Sequence, residues 1–165
     1  MLFVLSLDER ARVLYCLPID RHPGANAPEE FMVLAHEPSI LLVDDSADDC
    51  FFTMRALADL GLKHVSRVVD SASGAVERLA VGDVVLVLLD WHLPGEDGPD
   101  LLVKVRDAAG PAVAIIVLSG RDDEEVRSAA QAGGARAVLA KPLQPDALRP
   151  LLPSVLAALA GNAPA

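Results

Sequence analysis

The chain has 165 residues, 52% hydrophobic and 23% charged, which is one ordinary domain with enough apolar material for a core and excludes wholesale disorder. Twenty-four acidic residues against 14 basic give a formal charge of −10. That balance argues against direct binding of nucleic-acid phosphates, which needs a basic excess.

Residues 1–37 hold six acidic and three basic residues, and Pro18, Pro23 and Pro28 break them up. No positive charge precedes the first apolar stretch, so an export signal is not expected. Two readings stay open for this segment. It is a flexible extension, or translation starts at Met32 and the upstream residues are not part of the protein. The longest aliphatic run, Val84 to Leu89, is too short to cross a bilayer. Cys16 and Cys50 are too few and too isolated for a disulfide framework or a Cys-based zinc site, so a cytoplasmic setting away from membranes is expected.

From Ser39 onward, short apolar runs alternate with segments of helical period. The pattern predicts strands over 40–43, 65–69, 84–89, 113–118 and 136–140, and helices over 47–60, 72–80, 98–108, 122–132 and 150–160. Ser46 reads as the N-cap of the first helix, which stops before Gly61. Gly110-Pro111 and Gly133-Gly134 mark later turns. The last helix is placed near Pro150 because a first helical turn tolerates proline. Its Leu151, Leu152, Val155, Leu156 and Leu159 exceed a single core stripe, which reads either as a contact surface or as an apolar helix lying on the sheet.

The runs ILLV, VVLVLL and VAIIVL are apolar throughout. Such strands are covered on both faces, as in a parallel sheet. Five βα units make a doubly wound α/β domain over residues 38–161, with 162–165 a short tail. Right-handed crossovers put every strand carboxyl end on one edge, where such folds bind ligands.

Most acids fall near predicted helix starts, where free N–H groups and the helix dipole favour them. Asp48 and Asp49, Asp97 and Asp100, Asp122 to Glu125, and Asp146 are assigned to capping and solvated faces. Asp44, Asp45 and Asp90 escape this account, because they directly follow the first and third strands. Like charges brought so close repel unless a cation sits among them, and hard carboxylate oxygens suit Mg²⁺ or Ca²⁺. Ser119 and Lys141 end the fourth and fifth strands. A hydroxyl and an ammonium at that edge can meet the oxygens of a bound phosphoryl group.

These pieces, ILLVDD, LLDWHLPGEDGPDLL, IIVLSG and VLAKPL, resemble the receiver domain of bacterial two-component response regulators over residues 39 to about 160. The resemblance implies a flavodoxin-like (βα)₅ fold with strand order 2-1-3-4-5. It implies that Asp90 accepts a phosphoryl group from a sensor histidine kinase or a phosphotransfer protein. Asp45, Asp90 and the His92 backbone carbonyl would hold Mg²⁺, with Asp44 nearby. Lys141 would pair with the phosphoryl group and the acids, Ser119 would move toward the phosphoryl oxygen, and Gly120 would keep the approach open. The Lys141–Pro142 peptide is expected to be cis.

His92 and Arg121 stand where the family tunes phosphoryl lifetime. Val138 stands where many members carry a switching aromatic, so a ring switch cannot operate there. No output domain is expected after the last helix. The expectation is therefore a stand-alone receiver, monomer or homodimer, signalling to an unknown downstream protein without direct nucleic-acid binding. It would not be an enzyme beyond its own phosphoryl transfer and autodephosphorylation. Two rival readings are a docking module that is never phosphorylated and a Mg²⁺-dependent phosphohydrolase. Against the latter, His92 stands where such enzymes usually need a second acid.

Overall fold

The computed structural model describes residues 38–62, 65–120 and 124–159. The readings for 1–37, for Arg121 and for the 162–165 tail lie outside the described residues.

Five strands, β1 (Ser39–Val43), β2 (Val65–Val69), β3 (Val84–Asp90), β4 (Ala114–Ser119) and β5 (Ala137–Ala140), form one sheet in the order β2-β1-β3-β4-β5. Every pairing is parallel. Between them run α1 (Ala47–Asp59), α2 (Ala72–Leu79), α3 (Gly98–Ala109) and α4 (Glu124–Ala132). The doubly wound architecture and the strand order follow the sequence reading.

All five residues of β1 are buried, because successive side chains feed opposite faces and both faces are covered. Leu41, Val43, Val87, Leu89, Ile115 and Val117 pack with residues of α2, α3 and α4 on one side. Ile40, Leu42, Leu86, Leu88, Ile116 and Leu118 pack with α1 and the C-terminal helices on the other. Each of these fully buried side chains contributes about 1.5–3 kcal/mol. Both cores lie inside the layers, which leaves the sheet edges to polar residues.

The C-terminal helix corrects the sequence reading. Helix begins at Pro145, not near Pro150, and it is interrupted. A short α5 (Pro145–Leu148) passes through a 3₁₀ turn (Arg149–Leu151) into α6 (Leu152–Leu159). Proline lacks an N–H and crowds the preceding turn, so each is confined to the start of a segment. Pro145 opens α5, Pro150 lies in the 3₁₀ turn and Pro153 falls in the first turn of α6. Asp146 accordingly sits in the first turn of α5. Val155 is buried, while Leu151, Leu152 and Leu159 are half-buried against the same core. Leu156 alone of the five is exposed. An apolar helix lying on the sheet therefore accounts for most of its surface.

Candidate functional site

Strand register brings the acids together. Val43 pairs with Leu89, so the residues that follow, Asp44 and Asp90, emerge side by side. The Asp44 N–H donates to Val69 O (2.9 Å), and the Trp91 N–H donates to Leu118 O (2.9 Å). Both extend the ladder one step and fix the strand ends. Ser119 pairs with Ala140, and the Lys141 N–H donates to Ser119 O (2.8 Å). Asp44, Asp90, Ser119 and Lys141 thus share the carboxyl edge of neighbouring strands.

The two buried aspartates are used alike. Asp44 Oδ1 accepts the Ser46 N–H at 2.9 Å, and Asp90 Oδ1 accepts the His92 N–H at 3.0 Å. Each carboxylate folds its own loop in this way, as aspartates do at turns. The second oxygens both face Lys141, at 2.7 Å for Asp44 Oδ2 and 2.8 Å for Asp90 Oδ2. Lys141 Nζ also donates to Asp49 Oδ2 at 3.0 Å. Burial works against the Lys141 ammonium, yet its ion pairs with Asp44, Asp90 and Asp49 outweigh that and hold the amine above its ordinary value. Burial pushes the Asp44 carboxyl up, with Lys141 and the Ser46 N–H pulling the other way.

Asp44, Asp45 and Asp90 can present oxygens all within 4.8 Å of one another, with Asp44 and Asp90 buried and Asp45 exposed. Asp44 Oδ2 is buried and, despite its ion pair, receives no well-directed hydrogen bond. A buried carboxylate oxygen left in that state, beside two more hard oxygens, fits a small divalent cation. Cys50 packs under this group, its Sγ donating to Asp44 O at 3.6 Å. Burial, and then the nearby Asp44 charge, push its thiol up, which makes it a poor nucleophile.

The loop after Asp90 is shaped by two glycines. Gly95 adopts φ +77°, which favours glycine. A Cβ on Gly98 would come within 2.4 Å of the buried Trp91 indole, so α3 begins directly against that ring. Ser119 is fully buried, His92 is exposed and Val138 of β5, paired with Val117 of β4, is half-buried. A Cβ on Gly120 would meet nothing within 4 Å. The Lys141–Pro142 peptide is cis, as expected.

Asp49 corrects the sequence reading, which gave it to capping and solvent. Its N–H does serve the cap, donating to Ser46 Oγ at 3.3 Å, but its carboxylate reaches Lys141, 92 residues away. The one local signal was the Ser-x-x-Asp spacing of Ser46 and Asp49, and that spacing points to a capping box instead.

Among the described residues no helix is long and apolar enough to cross a membrane. The sequence profile described as "Response regulator receiver domain" matches residues 40–152. The probable chemotaxis protein CheY of Rhizobium etli is 29% identical over 129 residues, covering 78% of this chain and 99% of that one. The autoinducer 2 sensor kinase/phosphatase LuxQ of Vibrio cholerae is 31% identical over 144 residues, 82% of this chain, which spans only 16% of that protein's length. The solved receiver domain of NtrX from Brucella abortus superposes with a TM-score of 0.60 at 29% identity, covering 74% of this chain and 98% of that one. The profile takes in all five strands and the aspartates, serine and lysine at their ends, and on that ground this chain belongs to the response regulator receiver domain family of two-component systems.

Proposed function

We propose that the protein accepts a phosphoryl group on Asp90 from the phosphohistidine of a sensor histidine kinase or phosphotransfer protein, and signals through contact with a further protein. The observation that carries this reading is the setting of Asp90. It is a buried strand-end carboxylate with one oxygen facing the Lys141 ammonium at 2.8 Å, inside a group of three aspartates.

Asp45, Asp90 and the His92 carbonyl are the residues that would hold Mg²⁺, with Asp44 beside them. Bound there, the ion supplies charge neutralisation for the incoming phosphoryl oxygens. An Asp90 carboxylate oxygen attacks phosphorus, the bond from phosphorus to the donor imidazole nitrogen breaks, and its electron pair stays on the imidazole. Lys141 turns its protons toward the phosphoryl oxygens, and the Ser119 hydroxyl donates to one of them. Glycine at position 120 leaves the approach uncrowded.

With valine at 138, the signal runs through Ser119 and the loop after it, not through a ring. His92 and Arg121 set how long the acyl phosphate survives in water. Residues 38–161 are the receiver, 162–165 a tail, and 1–37 either an extension or residues upstream of a start at Met32. The setting is the cytoplasm, and the chemistry is confined to the protein's own carboxylate.

Incubation with Mg²⁺ and acetyl phosphate, followed by intact-mass measurement, tests the reading. The expected result is one phosphoryl group on the parent and none on Asp90→Asn. Equal modification of the variant rejects Asp90 as acceptor. An unmodified parent favours the docking-only reading, and continuing turnover of a phosphomonoester favours the hydrolase.

A further inference from the structure

An ammonium has three protons and no acceptor. Lys141 Nζ faces three carboxylates, at 2.7 Å (Asp44), 2.8 Å (Asp90) and 3.0 Å (Asp49). Two of these belong to the three-aspartate group, and Asp49 does not. A cation or phosphoryl group arriving at that group competes with Lys141 for the oxygens of Asp44 and Asp90. The contact to Asp49 is outside that competition.

Local chain chemistry makes Asp49 available for the task. In a capping box, the acid three residues after the N-cap turns back to the N-cap N–H. Here the Ser46 N–H is already taken by Asp44 Oδ1. Ser46 Oγ meanwhile holds the Asp49 backbone N–H. The backbone of Asp49 is thus fixed by the first turn of α1, and its carboxylate is released to cross to the end of β5. Its side chain is 33% exposed, against 10% for Lys141, so it borders the site without being part of the core. A lysine stem has four flexible carbons, and a fixed anchor limits the orientations its ammonium samples.

We infer that Asp49 is a positioning residue. It holds the Lys141 ammonium in the site while Asp44 and Asp90 are engaged, and thereby sets the rate at which Asp90 captures a phosphoryl group. This rests on the acceptor reading above.

Two measurements on Asp49→Asn, Asp49→Ala and Asp49→Glu test it. The first follows the ¹⁵N-lysine side-chain ammonium resonance of Lys141, with and without Mg²⁺ and without any phosphodonor. The second follows phosphoryl uptake from acetyl phosphate by intact mass, over a range of donor concentrations. With Mg²⁺ the resonance is expected to be sharp in the parent and lost in the Asn and Ala variants, while without Mg²⁺ Asp44 and Asp90 keep it in all of them. The saturating rate should fall about tenfold in both, with the half-saturating donor concentration unchanged, and Asp49→Glu should restore part of each. Parent-like rates in the Asn and Ala variants overturn the inference, as does a slower rate with an undisturbed resonance. If the parent takes up no phosphoryl group, the acceptor reading fails by itself. The resonance with Mg²⁺ then decides alone: its loss supports the holding role and its persistence overturns it.

Discussion

At the amino edge of the sheet, just before β3, Asp83 meets Arg78 in a two-pronged ion pair of 2.5 and 2.6 Å. Ser39, the first residue of β1, completes the group. Its hydroxyl donates to Asp83 Oδ2 at 3.2 Å and accepts from Arg78 at 3.1 Å. At the carboxyl edge, Asp44, Asp49 and Asp90 each reach the ammonium of Lys141, and Asp45 lies beside Asp44 and Asp90. In the first group one acid is matched by one base and a hydroxyl. In the second, among the described residues, three carboxylates share one ammonium, and Asp44 Oδ2 lacks a directed hydrogen bond. Polar groups that serve only the fold are satisfied within the fold. An excess of one charge at a ligand-binding edge is an arrangement that a visiting cation completes.

Arg106 shows the first kind of use again. Its guanidinium donates to the carbonyls of Gly110 (3.0 Å), Val113 (2.7 Å) and Gly134 (2.8 Å). It thereby ties the end of α3 to the turns before β4 and β5, at the amino edge.

The contrast is broken most severely at Asp90. Asp90→Asn is expected to abolish phosphoryl uptake while leaving the thermal midpoint at or above the parent's, because it removes one of several repelling charges. A lower midpoint than the parent's would class Asp90 with the structural acids. Next in size is Mg²⁺ itself. At a hundredfold excess over Kd the ion stabilises the fold by about 2.7 kcal/mol. Thermal melts should show this shift in the parent and in Arg78→Ala, and lose most of it in Asp45→Asn. A parent midpoint indifferent to Mg²⁺ would show that the acid excess is not a cation site.

Arg78→Ala strands the Asp83 carboxylate, whose side chain is 9% exposed. It should cost about 2 kcal/mol in urea unfolding, and phosphoryl uptake by the folded variant should be unchanged. An undiminished stability would mean that the amino-edge pair merely decorates the surface.

The smallest effect, about 1 kcal/mol at most, is in the pH dependence, where the two edges have opposite signs. Hydrogen bonding to Arg78 holds the Asp83 carboxyl below its ordinary 3.8. Its contribution is therefore present above that value and lost as the pH falls through the lowered one. Burial raises the Asp44 carboxyl, so its contribution is present below 3.8 and lost as the pH rises through the raised one. Urea unfolding between about pH 2 and pH 7 without divalent cations should show Asp83→Asn losing less stability than the parent at the acid end. Asp44→Asn should gain toward neutrality. Two variants running parallel to the parent would remove the distinction.

The sheet and the strand-end residues were legible because their signals are local. An apolar run buried on both faces declares a parallel strand wherever it lies. The first residues after such runs then fall on one edge by topology alone. Asp44, Asp90, Ser119 and Lys141 needed nothing further. Asp49 was not legible, since its use depends on Asp44 already occupying the Ser46 N–H and on a lysine 92 residues distant. The C-terminal helix misled because Pro150 and Pro153 are each admissible at a helix start, and sequence alone does not rank them against Pro145.

By itself, then, the order of residues determined the five-stranded architecture and the edge on which its acids and its lysine converge, since both follow from apolar periodicity and the handedness of crossovers. Tertiary structure alone decided which carboxylates share Lys141, which oxygen of each is occupied by its own loop, and where the last helix breaks. Those outcomes depend on distances between remote segments, and contacts of a few ångströms across the fold leave no local pattern in the chain.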